Sequence, residues 1–239
     1  MSIKKENFSL NLNVNKLQKP IYNLTPFSML DYPDKLACIV WFTGCNLRCQ
    51  YCYNTEIVEG NGNFEISEIL NFLDTRVGLL DGVVFSGGEA SLYAELEDFA
   101  SKIKRKGFLI KLDTNGSSPK KLKRMLENKI LDYVALDFKS PVYKSFKITQ
   151  SHTIYENFLS SLEILQSFEI PFEVRTTVHS DLLNKDDILK MSEILWDNGY
   201  RGKYFLQDYI GEKKTFSPLK TSHNKKQNIS YKEIEIIWR

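Results

Sequence analysis

The chain has 239 residues, of which 42% are hydrophobic and 13% aromatic, enough to bury the core of one α/β domain and too many for a disordered chain. Its 32 Lys and Arg nearly balance 30 Asp and Glu, so the sequence predicts neither a nucleic-acid nor a membrane surface. No apolar run reaches the roughly 18 residues of a membrane span, and the first residues lack the apolar core of a signal peptide. A cytoplasmic location is therefore expected.

Two regions differ in composition. Residues 1–22 are polar and rich in Asn, so we expect a loosely attached N-terminal extension there and a single domain over residues 23–239. Beyond Leu36, short β-branched and aromatic runs alternate with helical patterns, which is typical of repeated βα units. Six strands are predicted, over residues 37–43, 82–86, 108–112, 133–137, 172–178 and 203–209.

The segments between these strands are amphipathic, and apolar residues such as Ile66, Ile69 and Leu73 recur at roughly helical spacing. Parallel strands joined by such helices can build an open doubly wound sheet or a curved, barrel-like one, and periodicity does not decide between them. The chain contains neither a P-loop nor a G-x-G-x-x-G motif. Several unusual clusters follow the carboxyl ends of predicted strands, so we expect them to converge on one site.

Three of the four cysteines lie close together, in the segment Cys45-Asn-Leu-Arg-Cys49-Gln-Tyr-Cys52. Three thiols this close cannot all pair with one another as disulfides, which favours metal binding. Iron–sulfur clusters are normally held by four thiolates, so a loop with three leaves one iron open to another ligand. Cys38 stands apart in the apolar run ACIVWFT and is expected to be a buried core thiol.

Two other interpretations of the cysteines remain open. A structural zinc site needs a fourth protein ligand, and His152, His179 and His223 are scattered along the chain. A redox C-x-x-C at Cys49 and Cys52 is the other option, but the third cysteine and the lack of a thioredoxin-like context disfavour it.

The cysteine spacing, with Tyr51 just before the last cysteine, resembles the radical S-adenosylmethionine (SAM) superfamily. That resemblance implies a 4Fe-4S cluster whose open iron is chelated by SAM, and an electron that breaks the sulfonium bond to give a 5′-deoxyadenosyl radical. The segment Gly87-Gly88-Glu89 resembles the superfamily's GGE motif, which holds the methionyl ammonium, although Ala90 replaces the proline common in the family. An ordinary glycine-rich turn is the simpler alternative.

From Tyr22 onward the chain resembles the glycyl-radical-enzyme activases, especially the activating proteins of anaerobic ribonucleoside-triphosphate reductase. The segment TPFSMLDYPDKLACIVWFTGCNLRCQYCYN carries much of this resemblance, with Tyr53 where many relatives have His. It implies a partial (βα)6 barrel with one open side. It also implies abstraction of a glycine hydrogen on a partner enzyme, anaerobic ribonucleotide reductase, with reduced flavodoxin or ferredoxin as electron donor.

Two further segments resemble activase motifs. Asp113 and Asn115 belong to a DTNG segment, and Asp137 and Lys139 to a D-x-K segment. In the activases these carboxylates approach SAM, and in the pyruvate formate-lyase activator they help bind a monovalent cation. Arg175 matches an activase arginine near the SAM carboxylate. A plain Asn-Gly turn and a surface salt bridge are the simpler alternatives.

Two rival functions remain. One is a small-molecule radical SAM enzyme resembling 7-carboxy-7-deazaguanine synthase, and the other is a non-catalytic zinc-binding module. The lysine-rich tail, residues 212–227, is expected to be a solvated loop.

Overall fold

The computed structural model describes residues 19–209, 211, 214–223 and 229–239. These residues contain one sheet of eight strands, which are arranged in chain order. β1 pairs antiparallel with β2, and every later neighbouring pair is parallel. The strands are β1 (Ile21–Ser28), β2 (Ala37–Phe42), β3 (Gly82–Gly87), β4 (Leu109–Thr114), β5 (Tyr133–Asp137), β6 (Phe172–Val178), β7 (Tyr204–Asp208) and β8 (Ile236–Trp238). The predicted parallel α/β architecture is confirmed.

Helices connect the parallel strands. They are α1 (Thr55–Glu59), α2 (Ile66–Asp74), α3 (Leu96–Arg105), α4 (Pro119–Glu127), α5 (Val142–Thr149), α6 (Ile154–Ser167) and α7 (Lys185–Asp197), with a short 3-10 turn at Ala90–Leu92. Residues at the first turn explain where two of these helices begin. Asn184 and Asp187 form a capping box at α7, and α4 begins with a proline, whose missing N–H costs nothing in the first turn.

Two strands were not predicted from the sequence. β1 carries Pro26 and lies at one end of the sheet order, where a missing N–H is tolerated. β8 has three residues and follows the lysine-rich tail. Of the expected extension, residues 1–18 lie outside the described residues, and Ile21 and Tyr22 belong to β1.

The two faces of the sheet have different surroundings. Val83 and Phe85 of β3 belong to the large apolar core between sheet and helices, where Phe85 stacks on Phe99 of α3 with ring centroids 5.5 Å apart. Val84 belongs to a small cluster on the opposite face. Because side chains alternate along a strand, Lys111 and Asp113 share this second face of β4, and it carries the polar side chains of the site.

Among the described residues, no helix is both long and apolar enough to span a membrane. In the lysine-rich tail, Lys213, Lys225 and Lys226 lie outside the described residues. The carbonyl oxygen of Lys220 lies 2.9 Å from Nε2 of His179.

Candidate active site at the carboxyl edge of the sheet

A cavity of about 230 Å³ lies at the carboxyl ends of the parallel strands. All of the site residues predicted from the sequence line it. These are Cys45, Cys49, Tyr51, Cys52, Gly87, Gly88, Glu89, Asp113, Asn115, Asp137, Lys139 and Arg175. The convergence expected from the strand ends is therefore found in the structure.

The cavity wall also contains residues that the sequence analysis did not select, among them Asp31, Trp41, Ser86 and Thr177. Trp41, Ser86 and Thr177 alternate with core residues on β2, β3 and β6, so strand periodicity was the signal that could have found them. Asp31 follows β1, a strand that was not predicted.

The cysteine loop, residues 43–54, is held from outside by backbone hydrogen bonds. The N–H of Arg48 donates to the carbonyl of Thr149 (3.0 Å), and the N–H of Gln50 donates to that of Ile148 (2.9 Å). These carbonyls belong to the last turn of α5, where intrahelical donors are lacking. The Arg48 guanidinium donates to the carbonyl of Cys45 (2.8 Å). The loop is thus shaped by the end of α5 and by a hydrogen bond of its own.

The three loop thiols are free. Cys49 is buried, and Cys45 and Cys52 are half-buried. Burial raises the pKa of Cys45 to about 12 and that of Cys49 to about 11, and it also raises the pKa of Cys52. Such thiols ionise readily only beside a bound positive centre. In the described part of the chain, no three His, Cys, Asp or Glu side chains are grouped so that they could hold a single metal ion. In a 4Fe-4S cluster each thiolate binds a different iron, so a single-ion geometry is not required.

Cys38 and the three histidines lie outside the cavity lining. Cys38 is fully buried on the helix-facing side of β2, and burial raises its pKa to about 12. His152 stacks on Phe146, and His179 accepts a hydrogen bond from the N–H of Asp181.

The glycine segment packs directly against the cysteine loop. A Cβ on Gly88 would lie 1.9 Å from the carbonyl oxygen of Gly44, so only glycine fits there. The N–H of Glu89 donates to that same carbonyl (2.9 Å). Gly87 has a φ of 119° and also contacts β2 closely. The first and second βα loops are therefore fixed to each other.

Glu89 joins this segment to the next loop. Its buried carboxylate accepts hydrogen bonds from the Thr114 hydroxyl (2.7 Å), the Asn115 N–H (2.7 Å) and the Ser91 N–H (3.2 Å). Burial raises its pKa, although these hydrogen bonds act in the opposite direction. The Glu89 side chain therefore serves the architecture of the site. The Asn115 side chain in turn lies 3.9 Å from the sulfur of Cys45.

Beside the cysteine loop lies a charged cluster, which consists of Lys111, Asp113, Asp137, Lys139 and Arg175. Its Lys139 is close enough to the three thiols to lower their pKa values in part. Arg175 donates to Oδ1 of Asp137 (2.9 Å) and lies 3.5 Å from Oδ2 of Asp113. Lys139 lies 3.0 Å from Oδ2 of Asp137, and Lys111 lies 2.5 Å from Oδ1 of Asp113. Three cationic side chains thus face two carboxylates.

The charges of this cluster stabilise one another. Burial alone would raise the pKa of Asp137, but Arg175 and Lys139 outweigh it and hold that pKa below its usual value. Burial would likewise lower the pKa of Lys139, yet the Asp137 carboxylate raises it well above the usual value. Asp137 and Lys139 are therefore both charged at neutral pH.

Residues 39–205 match the family model of the Radical SAM superfamily. The chain belongs to the radical SAM superfamily. A Methanocaldococcus jannaschii protein, whose name assigns it provisionally to the glycyl-radical enzyme activating enzymes, is 30% identical over 183 residues, 74% of this chain and 75% of that protein. The pyruvate formate-lyase-activating enzyme of Streptococcus mutans is 29% identical over 182 residues, 70% of this chain and 68% of that protein. These relatives assign the chain to the activating-enzyme branch of the superfamily.

A third relative is not named as an activating enzyme. The 7-carboxy-7-deazaguanine synthase of M. jannaschii is 27% identical over 185 residues, which are 70% of this chain and 73% of that protein. Among solved structures, Streptococcus suis SuiB bound to SAM matches with a TM-score of 0.61 at 11% identity, over 78% of this chain and 45% of that one. This match supports the fold alone, and the chain spans less than half the length of that protein.

The cavity fits the cofactors of a radical SAM enzyme. Three sulfur donors on one loop suit iron, and membership of the superfamily sets aside the zinc-binding module. The buried Tyr51 hydroxyl has no hydrogen-bond partner among the described residues. It lies close to the Cys49 thiol and partly offsets the rise that burial causes in the pKa of Cys49. A buried polar atom of this kind is expected where a bound molecule completes the site.

The charged cluster does not fit the monovalent cation that the resemblance implied. Oδ1 of Asp113 is paired with Lys111, and Oδ2 accepts a hydrogen bond from the Ser86 hydroxyl (3.2 Å) and lies near Arg175. Both oxygens of Asp137 are paired with Arg175 and Lys139. A metal ion would have to displace one of these donors.

Proposed function

We propose that this radical SAM enzyme is an activase that installs a glycyl radical on anaerobic ribonucleotide reductase. The observation that carries the proposal is the exposed apolar segment at the rim of the cavity, where Met29 and Leu30 directly precede Asp31 of the cavity wall. Such a surface suits a protein substrate that presents its reacting residue across the rim. The similarity to two activating enzymes supports the same assignment.

Different residues of the chain bind the iron–sulfur cluster and SAM. Cys45, Cys49 and Cys52 hold the cluster, and the glycine segment presents backbone groups to the methionyl end of SAM. Arg175 binds the SAM carboxylate through charge-assisted hydrogen bonds. When bound, the cluster and SAM supply an organic radical able to remove a hydrogen atom from carbon. The partner's glycine loses that hydrogen atom and keeps the unpaired electron.

The rim of the cavity supports a protein substrate. Met29 and Leu30 are 72% and 92% exposed, and they directly precede Asp31, which lines the cavity. Phe27 is also exposed. Neighbouring exposed apolar side chains of this size commonly mark a protein interface. We assign this rim to the partner that presents its glycine loop.

A second surface suits the electron donor, which we propose to be reduced flavodoxin or ferredoxin. Helix α5 holds the cysteine loop through its last turn and exposes Val142, Tyr143 and Phe146 to solvent. Lys147 is exposed beside them. Phe146 belongs to the same last helical turn as Ile148 and Thr149, whose carbonyls hold the cysteine loop, so this surface adjoins the support of the loop. The cytoplasmic location expected from the sequence is part of this proposal.

The test uses the full-length chain reconstituted anaerobically with iron and sulfide, then mixed with SAM, reduced flavodoxin and an anaerobic ribonucleotide reductase. We expect a glycyl doublet on the reductase in electron paramagnetic resonance. The doublet should disappear with Cys49→Ser and persist with Cys38→Ser, since Cys38 lies outside the cavity. SAM cleavage without a radical on the reductase would contradict the proposed partner.

The deazaguanine synthase relative supports one competing function. A small-molecule enzyme would turn over its substrate without any partner protein. Product formed from SAM and a small heterocycle by the purified chain alone, with no effect of the reductase on SAM cleavage, would favour that alternative.

A further inference from the structure

Lys111 is a buried lysine next to the SAM site, and the function proposed above gives it no role. It precedes Asp113 by two residues on β4, so both side chains leave the same face of the strand. Lys111 is 2% exposed, and its ammonium lies 2.5 Å from Oδ1 of Asp113. A lysine is rarely buried unless it is paired, so this pair is a built feature of the site.

The position of the pair decides what Lys111 can do. Asp113 lines the cavity, whereas Lys111 lies behind it and outside the lining. Through Asp113, the ammonium is connected to Ser86 and Arg175. Lys111 therefore acts on the cavity by fixing and neutralising a carboxylate that the bound molecule meets.

The net charge of the charged cluster depends on Lys111. As built, three cations and two carboxylates leave one excess positive charge, which the carboxylate of a bound SAM would balance. If Lys111 were absent, two cations would face Asp113, Asp137 and the SAM carboxylate. Among these groups one negative charge would then be uncompensated in a largely buried place, which is costly. A small cation from solution would then be attracted to Oδ1 of Asp113.

We propose that the Lys111 ammonium is the resident cation of the SAM site, so that this enzyme binds SAM without a monovalent metal ion. Lys111 is a positioning residue that acts through Asp113. The inference rests on the SAM-binding part of the proposed function and is independent of the partner enzyme.

The test measures SAM affinity by equilibrium dialysis of the reconstituted full-length enzyme, in buffers whose cation is either K⁺ or the bulky tetramethylammonium. The unchanged enzyme should bind SAM within about twofold in the two buffers. Lys111→Met should bind about tenfold more weakly in tetramethylammonium and recover in K⁺, because a charge-assisted contact is lost and then replaced. Crystals of Lys111→Met soaked in thallous nitrate should show an anomalous peak beside Asp113 that the unchanged enzyme lacks.

The matched control is Lys104→Met, which removes another Lys–Asp pair, that with Asp132 (2.7 Å), away from the cavity. It should bind SAM equally in both buffers. The proposal is overturned if the unchanged enzyme needs K⁺, a result that does not depend on the folding of any variant. Equal weakening of Lys111→Met in both buffers, without a thallium site, would also overturn it. If the unchanged enzyme binds SAM in neither buffer, the SAM-binding step fails first, and this inference fails with it.

Discussion

The cysteine loop and the charged cluster form two adjoining sides of one cavity, but they are held in different ways. The loop is a single segment whose shape comes from backbone hydrogen bonds, such as those from Arg48 and Gln50 to the end of α5. The charged cluster is assembled from side chains on β4, β5 and β6 and from Lys139 just after β5, and it depends on the register that sets Asp137 beside Arg175.

This difference predicts how each side responds to substitution. On the loop, each thiol is a ligand that no other residue replaces. Losing one should therefore remove the iron–sulfur cluster and leave the sheet intact. In the charged cluster every carboxylate has two partners, so losing one cation leaves the others to compensate in part. A substitution in the cysteine loop should thus abolish function completely, whereas a substitution in the charged cluster should reduce it by degrees.

The largest effect is expected on the loop. Cys45→Ser, Cys49→Ser and Cys52→Ser should each lose most of their iron and all SAM cleavage, because a three-thiolate site has no spare ligand. Iron and sulfide analysis of the anaerobically purified variants, with detection of 5′-deoxyadenosine, gives the measurement.

Cys38→Ser is the matched control. It is buried in the core between sheet and helices, so we expect a modest loss of stability and a normal iron content. An equal loss of iron in Cys38→Ser would mean that all four thiols act together, and the complete loss of function could no longer be assigned to the loop.

A smaller effect is expected from Arg175→Met in the charged cluster. Iron content should be unchanged, and SAM affinity should fall by about 1.5–3 kcal/mol, the usual worth of a hydrogen bond to a charged group. The control is Arg124→Met, which removes an ion pair between α4 and Glu97 of α3, outside the cavity lining, and should change neither quantity. Loss of iron in Arg175→Met would show that the two sides of the cavity are not independent.

The sequence predicted the loop side more completely than the charged side, for a physical reason. Cluster ligands on one loop have a fixed spacing along the chain, so Cys45, Cys49 and Cys52 can be recognised together. The parallel sheet was predicted in the same way, from short β-branched and aromatic runs that alternate with helical patterns. Both signals are local in the sequence.

What the sequence did not predict depends on contacts between distant segments. The pairing of Lys111 with Asp113 requires knowledge of which face of β4 is buried. That Glu89 binds the backbone of Asn115 requires the relative positions of two loops. β1, with its proline, forms because β2 offers a partner. In each case tertiary context, and not local propensity, decides the outcome.

The smallest effect is expected on the outer surface of the loop side, where α5 supports the cysteine loop. Phe146→Ala and Lys147→Glu should slow reduction by flavodoxin about five- to tenfold each, as for residues at the centre of a protein interface, while dithionite reduction stays unchanged. For Lys147→Glu the loss should come from slower association and shrink at high salt, since the charge acts mainly during encounter. Stopped-flow absorbance of the cluster with each reductant is the measurement, with Leu79→Ala, an exposed apolar residue just before β3, as control. If both reductants slow in parallel, α5 only shapes the cysteine loop. If only flavodoxin slows, α5 is the docking surface of the electron donor, separate from the rim across which the glycine loop enters.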